Sequence, residues 1–372
     1  MVPKIFAVKC HAQDDVSGLG AGRRITIAGT GAVRAGLPGM RAVKSFVKEW
    51  CKDCHWTLAG GSDMKRLRHG MPVQVRSLAE IYATLDGKGK CDGILFMPEM
   101  ARFCGAVLHV HRRADKTCVE GYGMRRLGKA VFLEAARCGG EFHDGCERRC
   151  LLFWHERWLV AAPGAKPAAA HAPPAAPPQR LATRDGERYI CQSTELLAAT
   201  APLSRWAVAA FARDVWTGEV RLKDFLALVW LTLRRRVSNG RATDTILGEN
   251  AHPSRGDLAL AAGDIVRVKS AFGIARELDP QGKNKGLGFV PTMLPAIGKQ
   301  YEVAFPIRKM ILEKTGRMIP LANTVVLKGI QCGGPCVANC PRSSDLYWRE
   351  SWLEKLADTR VARQPDGAGP GQ

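Results

Sequence analysis

Five side chains of metal-holding type fall close together in the first half of the chain. They are Cys118, Cys138, His143, Cys146 and Cys150. Thiolates and imidazoles close a tetrahedral zinc site well, and four such groups suffice. Seven residues separate Cys138 from Cys146 and three separate Cys146 from Cys150, which is not a standard zinc-finger spacing. A second set, Cys332, Cys336 and Cys340, stands near the C-terminus, again with three residues in each gap. An iron–sulfur cluster is the minor alternative, since neither spacing matches the known cluster runs. The plainer alternative is a group of buried free thiols, which pack as small apolar residues.

These cysteines travel with a repeat. Residues 75–110 align with 268–303 at a shift of 193, with 13 of 36 positions identical. After a slip of one residue, 124–159 align with 318–353 at a shift of 194, with 14 of 36 identical. Cys138 and Cys146 thereby recur as Cys332 and Cys340, whereas Cys118 and Cys150 fall on Leu312 and Ser344. The second set therefore lacks an apparent fourth ligand. Two copies of one module organise the chain.

The elements that must position these residues are short. Val73-Gln74-Val75 alternates as a strand, and Ser77 can cap a helix over 78–85. Residues 106–112 and 130–136 predict strands around a glycine-bearing turn at 121–123. In the second copy, 264–270 predicts a strand and 313–318 a hairpin turn. Each module closes on Trp-x-Glu-x-Trp-Leu, at Trp154 to Leu159 and Trp348 to Leu353. A four-residue spacing stacks both tryptophans on one helix face. A core clamp is favoured there over an aromatic platform for a base or sugar.

Between the modules, residues 161–180 form a Pro/Ala spacer and 181–262 a helical insert. Its helix at 224–237 is apolar nearly all round, hence buried or interfacial. Residues 1–72 form a leader, disordered or belonging to an over-extended start, and 358–372 a loose tail. Two leader motifs are weak. Cys51-x-x-Cys54-His55 has the spacing of haem attachment, and Arg23 to Arg34 resembles a glycine-rich phosphate loop without its third glycine.

Net charge is +20, spread along the chain, which favours polyanions such as nucleic acid. No apolar run reaches roughly 18 residues, so no transmembrane segment is expected. No apolar export region with a cleavage site opens the chain, so a cytoplasmic location is expected. That compartment keeps thiols reduced, and thirteen cysteines is an odd number, both against a disulfide framework. Nucleophile elbow, Walker A loop and H-E-x-x-H helix are all missing. Glu99 with Glu134 or Glu156 is a conceivable acid–base pair that nothing in the sequence brings together.

Residues 73–355 resemble a family of bacterial proteins encoded in gene clusters for specialised metabolites or surface polysaccharides. The resemblance rests on Leu85-Asp86, Gly93-x-x-Phe96-Met97-Pro98-Glu99-Met100, Arg113 to Cys118, Cys138 to Trp158, Tyr189-x-Cys191, and Cys340-Pro341-Arg342 to Leu353. It implies no particular activity. It does imply that Cys191 is a further candidate ligand, while Cys336 falls outside the family pattern. More loosely, Val266-Arg267-Val268-Lys269 with Gly298 to Val303 looks like an SH3- or KOW-type barrel.

The resulting expectation is an α+β chain. Two small SH3-like β-barrel modules, at 73–160 and 263–357, end in Trp-bearing helices and are joined by the linker and insert. Zinc held by Cys118, Cys138, His143, Cys146, Cys150, Cys332 and Cys340 staples them. The expected role is a non-catalytic adaptor for a protein partner of a biosynthetic pathway. A metal- or thiol-dependent biosynthetic enzyme and a basic nucleic-acid-binding protein are the alternatives.

Overall fold

Val73 and Val75 are fully buried while Gln74 between them faces out, the period-two pattern of a half-buried strand. This strand, β1 (Pro72–Val75), seeds a five-stranded antiparallel sheet. The computed structural model describes residues 67–166, 181–203, 246–332 and 340–356, with six single positions between 215 and 230. The first copy continues through β2 (Lys90–Cys91), β3 (Ile94–Leu95), β4 (Val107–Arg113), β5 (Lys116–Val119), β6 (Gly123–Arg126), β7 (Ala130–Arg137), β8 (Leu151–His155) and β9 (Leu159–Ala161). Its main sheet runs β8-β7-β4-β1-β9, and the β5–β6 hairpin projects as an arm. Ser77 caps α1 (Leu78–Tyr82) through a capping box with Glu80, as its position predicts.

Between the copies lie β10 (Arg184–Asp185), β11 (Arg188–Tyr189), α2 (Gln192–Ala199) and β12 (Ala201–Pro202). The second copy holds β13 (Ile265–Val268), α3 (Ala271–Ala275), β14 (Lys283–Asn284), β15 (Leu287–Gly288), β16 (Gln300–Pro306), β17 (Lys309–Ile311), β18 (Met318–Pro320), β19 (Thr324–Gln331), β20 (Asp345–Arg349) and β21 (Leu353–Lys355). Its sheet, β20-β19-β16-β13-β21, has the same order as the first. Val73 faces Leu108 and Val266 faces Tyr301, pairings related by 193 residues. The bulge at Val110/Arg112 likewise recurs at Val303/Phe305, and that at Phe132/Arg137 at Val326/Gln331. The one-residue slip falls between those bulges, where the arm of the second copy has three-residue strands instead of four.

The tryptophan motifs are not helical. Leu151 to His155 form a strand buried along its whole length, Glu156–Trp158 a single 3-10 turn, and Leu159 starts the last strand. A four-residue spacing also links a strand residue to the turn beyond it, and a continuous apolar run suits a strand buried on both faces. Trp154, Trp158, Trp348 and Trp352 are all fully buried. Phe96 meets Trp158 edge-on at 5.4 Å, and Phe289 meets Trp352 at the same distance. The rings anchor two equivalent cores and present no platform to solvent.

Of the expected insert, residues 204–245 lie outside the described residues except for six positions, all helical. Residues 181–203 carry a hairpin, α2 and an edge strand, and dock on the first module through Leu181 and Leu196. Strand β12 pairs with β6 of the arm. Leu258 and Leu260, at the end of the expected insert, pack with the second core, and Leu67 occupies the position of Leu260 in the first. The leader motifs, the tail, Cys336, residues 167–180 and most of 224–237 lie outside the described residues. Among the described residues, no helix is long and apolar enough to cross a membrane.

Replacing Trp158 or Trp352 by Ala is expected to cost about 3–5 kcal/mol, measured by urea unfolding. A loss below about 1 kcal/mol at either position would remove that ring from the core role assigned here.

Candidate metal centre

The loop between β7 and β8 holds Cys138, His143, Cys146 and Cys150. Its ends are tied together, since the Cys138 N–H donates to the Cys150 carbonyl at 2.9 Å. The equivalent bond, Cys332 N–H to Ser344 O at 2.8 Å, closes the same loop in the second module. Gly140 takes a positive φ of 75°, and its carbonyl accepts from the N–H groups of His143 and Gly145. A Cβ there would collide with the Cys146 backbone, so only glycine permits this curl.

Cys191 enters from the insert, as the residue capping α2. The next residue fixes its place. The Gln192 side chain accepts from Phe153 N–H and donates to the carbonyls of Phe153 and Leu95, each bond 2.8 Å long. Cys138, Cys146, Cys150 and Cys191 then line one cavity of about 30 Å³ whose wall also includes His143, Arg148, Met97, Phe153 and Ile311. Burial pushes the thiols of Cys138 and Cys146 up, and that of Cys191 up to about 11. The Cys150 thiol adds to the rise at each of the other three.

Positive charge accumulates beside these sulfurs. Arg342 is buried and pairs with Glu313 at 2.8 Å; Arg148 reaches the same carboxylate at 3.3 Å. Two guanidiniums and one carboxylate leave a surplus of one positive charge in a poorly solvated place. Deprotonated sulfurs would offset it.

Other expected ligands are arranged differently. His143 Nδ1 lies 2.5 Å from Glu99 Oε1 and Nε2 lies 2.9 Å from the Ile190 carbonyl. Both nitrogens face acceptors, an arrangement that favours the doubly protonated ring, which would have to give up a proton before it bound a metal. Burial lowers the imidazole pKa, but the bond and charge of Glu99 outweigh it and leave it raised. Cys118 and Cys340 leave their own modules' cysteines and meet each other, with Sγ atoms 3.0 Å apart. Cys332 packs at the edge of the second core.

One ligand group escaped the sequence, and another adds Glu99 to the expected Cys138 and His143. Glu99, Cys138 and His143 bring their ligand atoms within 4.8 Å, as do Cys91, Asp92 and His155, and either group could hold a metal ion. In the second group His155 Nδ1 accepts from Arg157 N–H, which leaves the proton on Nε2 facing Asp92 at 3.3 Å. The Glu99–His143 pair had a signal in the repeat: both partners are replaced in the second copy, by Thr292 and Val337. Glu156 and Glu134 do not join Glu99, because Glu156 pairs with Arg113 at 2.8 Å and Glu134 lies 3.9 Å from His109. Compared with protein-family models, with curated proteins and with solved structures, the chain finds no match.

Because its pKa is raised on folding, His143 contributes stability that is complete at low pH. That contribution is lost as pH rises through the folded value. Unfolding free energy should therefore fall as pH rises above the ordinary imidazole range, with a smaller fall in Glu99→Gln. Glu99→Ala should cost about 3–5 kcal/mol by the same unfolding assay. An unchanged pH slope in Glu99→Gln would contradict the assignment.

Proposed function

We propose that this chain is a non-catalytic adaptor of a bacterial biosynthetic gene cluster, with zinc stapling its first module. The observation that carries the reading is the small cavity whose lining includes Cys138, Cys146, Cys150 and Cys191. Among the described residues no three of these sulfurs lie within 4.8 Å of one another; drawn together on one zinc at Zn–S of about 2.3 Å, they would fill a tetrahedral shell and leave no open position for a water. That closure favours a structural over a catalytic metal. A zinc tetrathiolate carries two negative charges, which Arg148 and Arg342 would offset. Zinc is preferred to harder ions because every candidate ligand is sulfur.

The sheet topology supports SH3-like modules. Each copy is a meander in which a 3-10 turn precedes a last strand that returns to pair with the first. Such small barrels commonly serve as binding platforms, an argument by analogy of fold. The resemblance to proteins of metabolite and polysaccharide clusters supports a pathway protein as the partner. The +20 charge favours one alternative, nucleic-acid binding, whose mark would be a steep loss of affinity with salt.

Elemental analysis of untagged protein should give about one zinc per chain, with unfolding of the first module on chelation. Cys150→Ser should lose the metal, whereas Cys332→Ser should keep it. Apparent zinc affinity should rise with pH, since each raised thiol must surrender its proton. Iron in place of zinc would move the reading towards an enzyme. Full zinc retention in Cys150→Ser would refute the ligand set.

A further inference from the structure

Cys118 and Cys340 stand apart from the cavity sulfurs. Cys118 lies on arm strand β5 of the first module, and Cys340 precedes β20 of the second, 222 residues later. The two Sγ atoms are 3.0 Å apart, and the Cys118 N–H also donates to Cys340 Sγ at 3.3 Å. Cys340 is buried and Cys118 half-buried.

The surroundings hold this contact in place from both sides. Arg342, two residues after Cys340, donates to the Cys118 carbonyl at 3.1 Å and to Ser193 Oγ at 3.3 Å. Glu313, its ion partner, accepts the N–H of Glu120 at 3.0 Å. Both thiols are therefore flanked by bonds that cross between the modules. The hydrogen bond between the two sulfurs pulls the Cys340 thiol down to about 6, even against its burial, and raises Cys118 in turn.

A shared zinc does not fit this pair. Sulfurs on one tetrahedral zinc lie about 3.8 Å apart, given Zn–S of about 2.3 Å. At 3.0 Å no ion can sit between them in that geometry, whereas a movement of about 1 Å forms an S–S bond of about 2.05 Å. We propose that Cys118 and Cys340 form a reversible oxidation site, a disulfide that locks the arm of the first module to the second.

With a peroxide as oxidant the chemistry balances. The Cys340 thiolate attacks one peroxide oxygen; the O–O bond breaks and the leaving hydroxide takes a proton to become water. Cys340 is then a sulfenic acid. The Cys118 sulfur attacks the Cys340 sulfur, the S–S bond forms, and the S–O bond breaks. The departing hydroxide takes the Cys118 proton as a second water. Two thiols are oxidised and one peroxide is reduced to two waters. A small dithiol reverses the step by exchange.

The test uses the full chain, with its zinc content determined beforehand. Protein is treated with hydrogen peroxide at one equivalent, alkylated, digested without reductant and analysed by tandem mass spectrometry. The expected product joins the peptide of Cys118 to that of Cys340, is two hydrogens lighter than their sum, and disappears with dithiothreitol. Zinc content should stay unchanged, which separates this site from the metal centre whether or not zinc is present there. The linked pair should vanish in Cys340→Ala and persist in Cys332→Ala, which resolves the cysteines sharing one tryptic peptide. Three results overturn the proposal: both thiols remaining alkylatable, Cys118 linked to another cysteine, or zinc released as the bond forms.

Discussion

The two modules meet on one buried carboxylate. Glu313 takes Arg148 from the first module and Arg342 from its own, and accepts the N–H of Glu120 as well. A carboxylate removed from water costs several kcal/mol unless it is paired, and here each pairing crosses or borders the seam. Around it, Tyr189 N–H donates to Gly316 O, the Arg308 N–H donates to Glu147, and Cys146 packs against Ile311. The cysteine loop is thus both the candidate metal site and the surface through which the first module holds the second. Ordering that loop orders the junction.

Duplication supplied the frame, and divergence supplied the site. The sheets match in strand order, register and bulges, so the difference lies in what the loops carry. The first loop keeps Cys146, Cys150 and His143, and gains Cys191 from the docked segment after it. In the second, Cys332 stays in its own module while Cys340 turns to Cys118. Glu156 and Glu350 share a motif position and differ in partner: Arg113 for one, and the backbone N–H groups of Ala259 and Leu260 for the other. The motif glutamate is structural in both copies.

Local and repeated features were legible in the sequence. Alternation located β1 and β13, Ser77 marked its helix, and the two alignment shifts marked which residues of the two copies correspond. The tryptophan spacing misled because a helix and a strand followed by a tight turn both repeat a face after four residues. Long-range pairing was not legible, since spacing says nothing about contacts 222 residues apart, as for Cys118 and Cys340. The docking of α2 was likewise hidden, because its anchor is one polar side chain, Gln192, satisfying three backbone groups. Cys191 came into view through family resemblance and not through its spacing.

The central proposal is that a zinc bound among Cys138, Cys146, Cys150 and Cys191 staples the first module. X-ray absorption at the zinc edge on the purified full chain measures this directly. The account predicts a first shell of four sulfurs at about 2.3 Å, with no nitrogen or oxygen neighbour. A shell containing nitrogen at about 2.0 Å would return His143 or His155 to the ligand set and contradict the account.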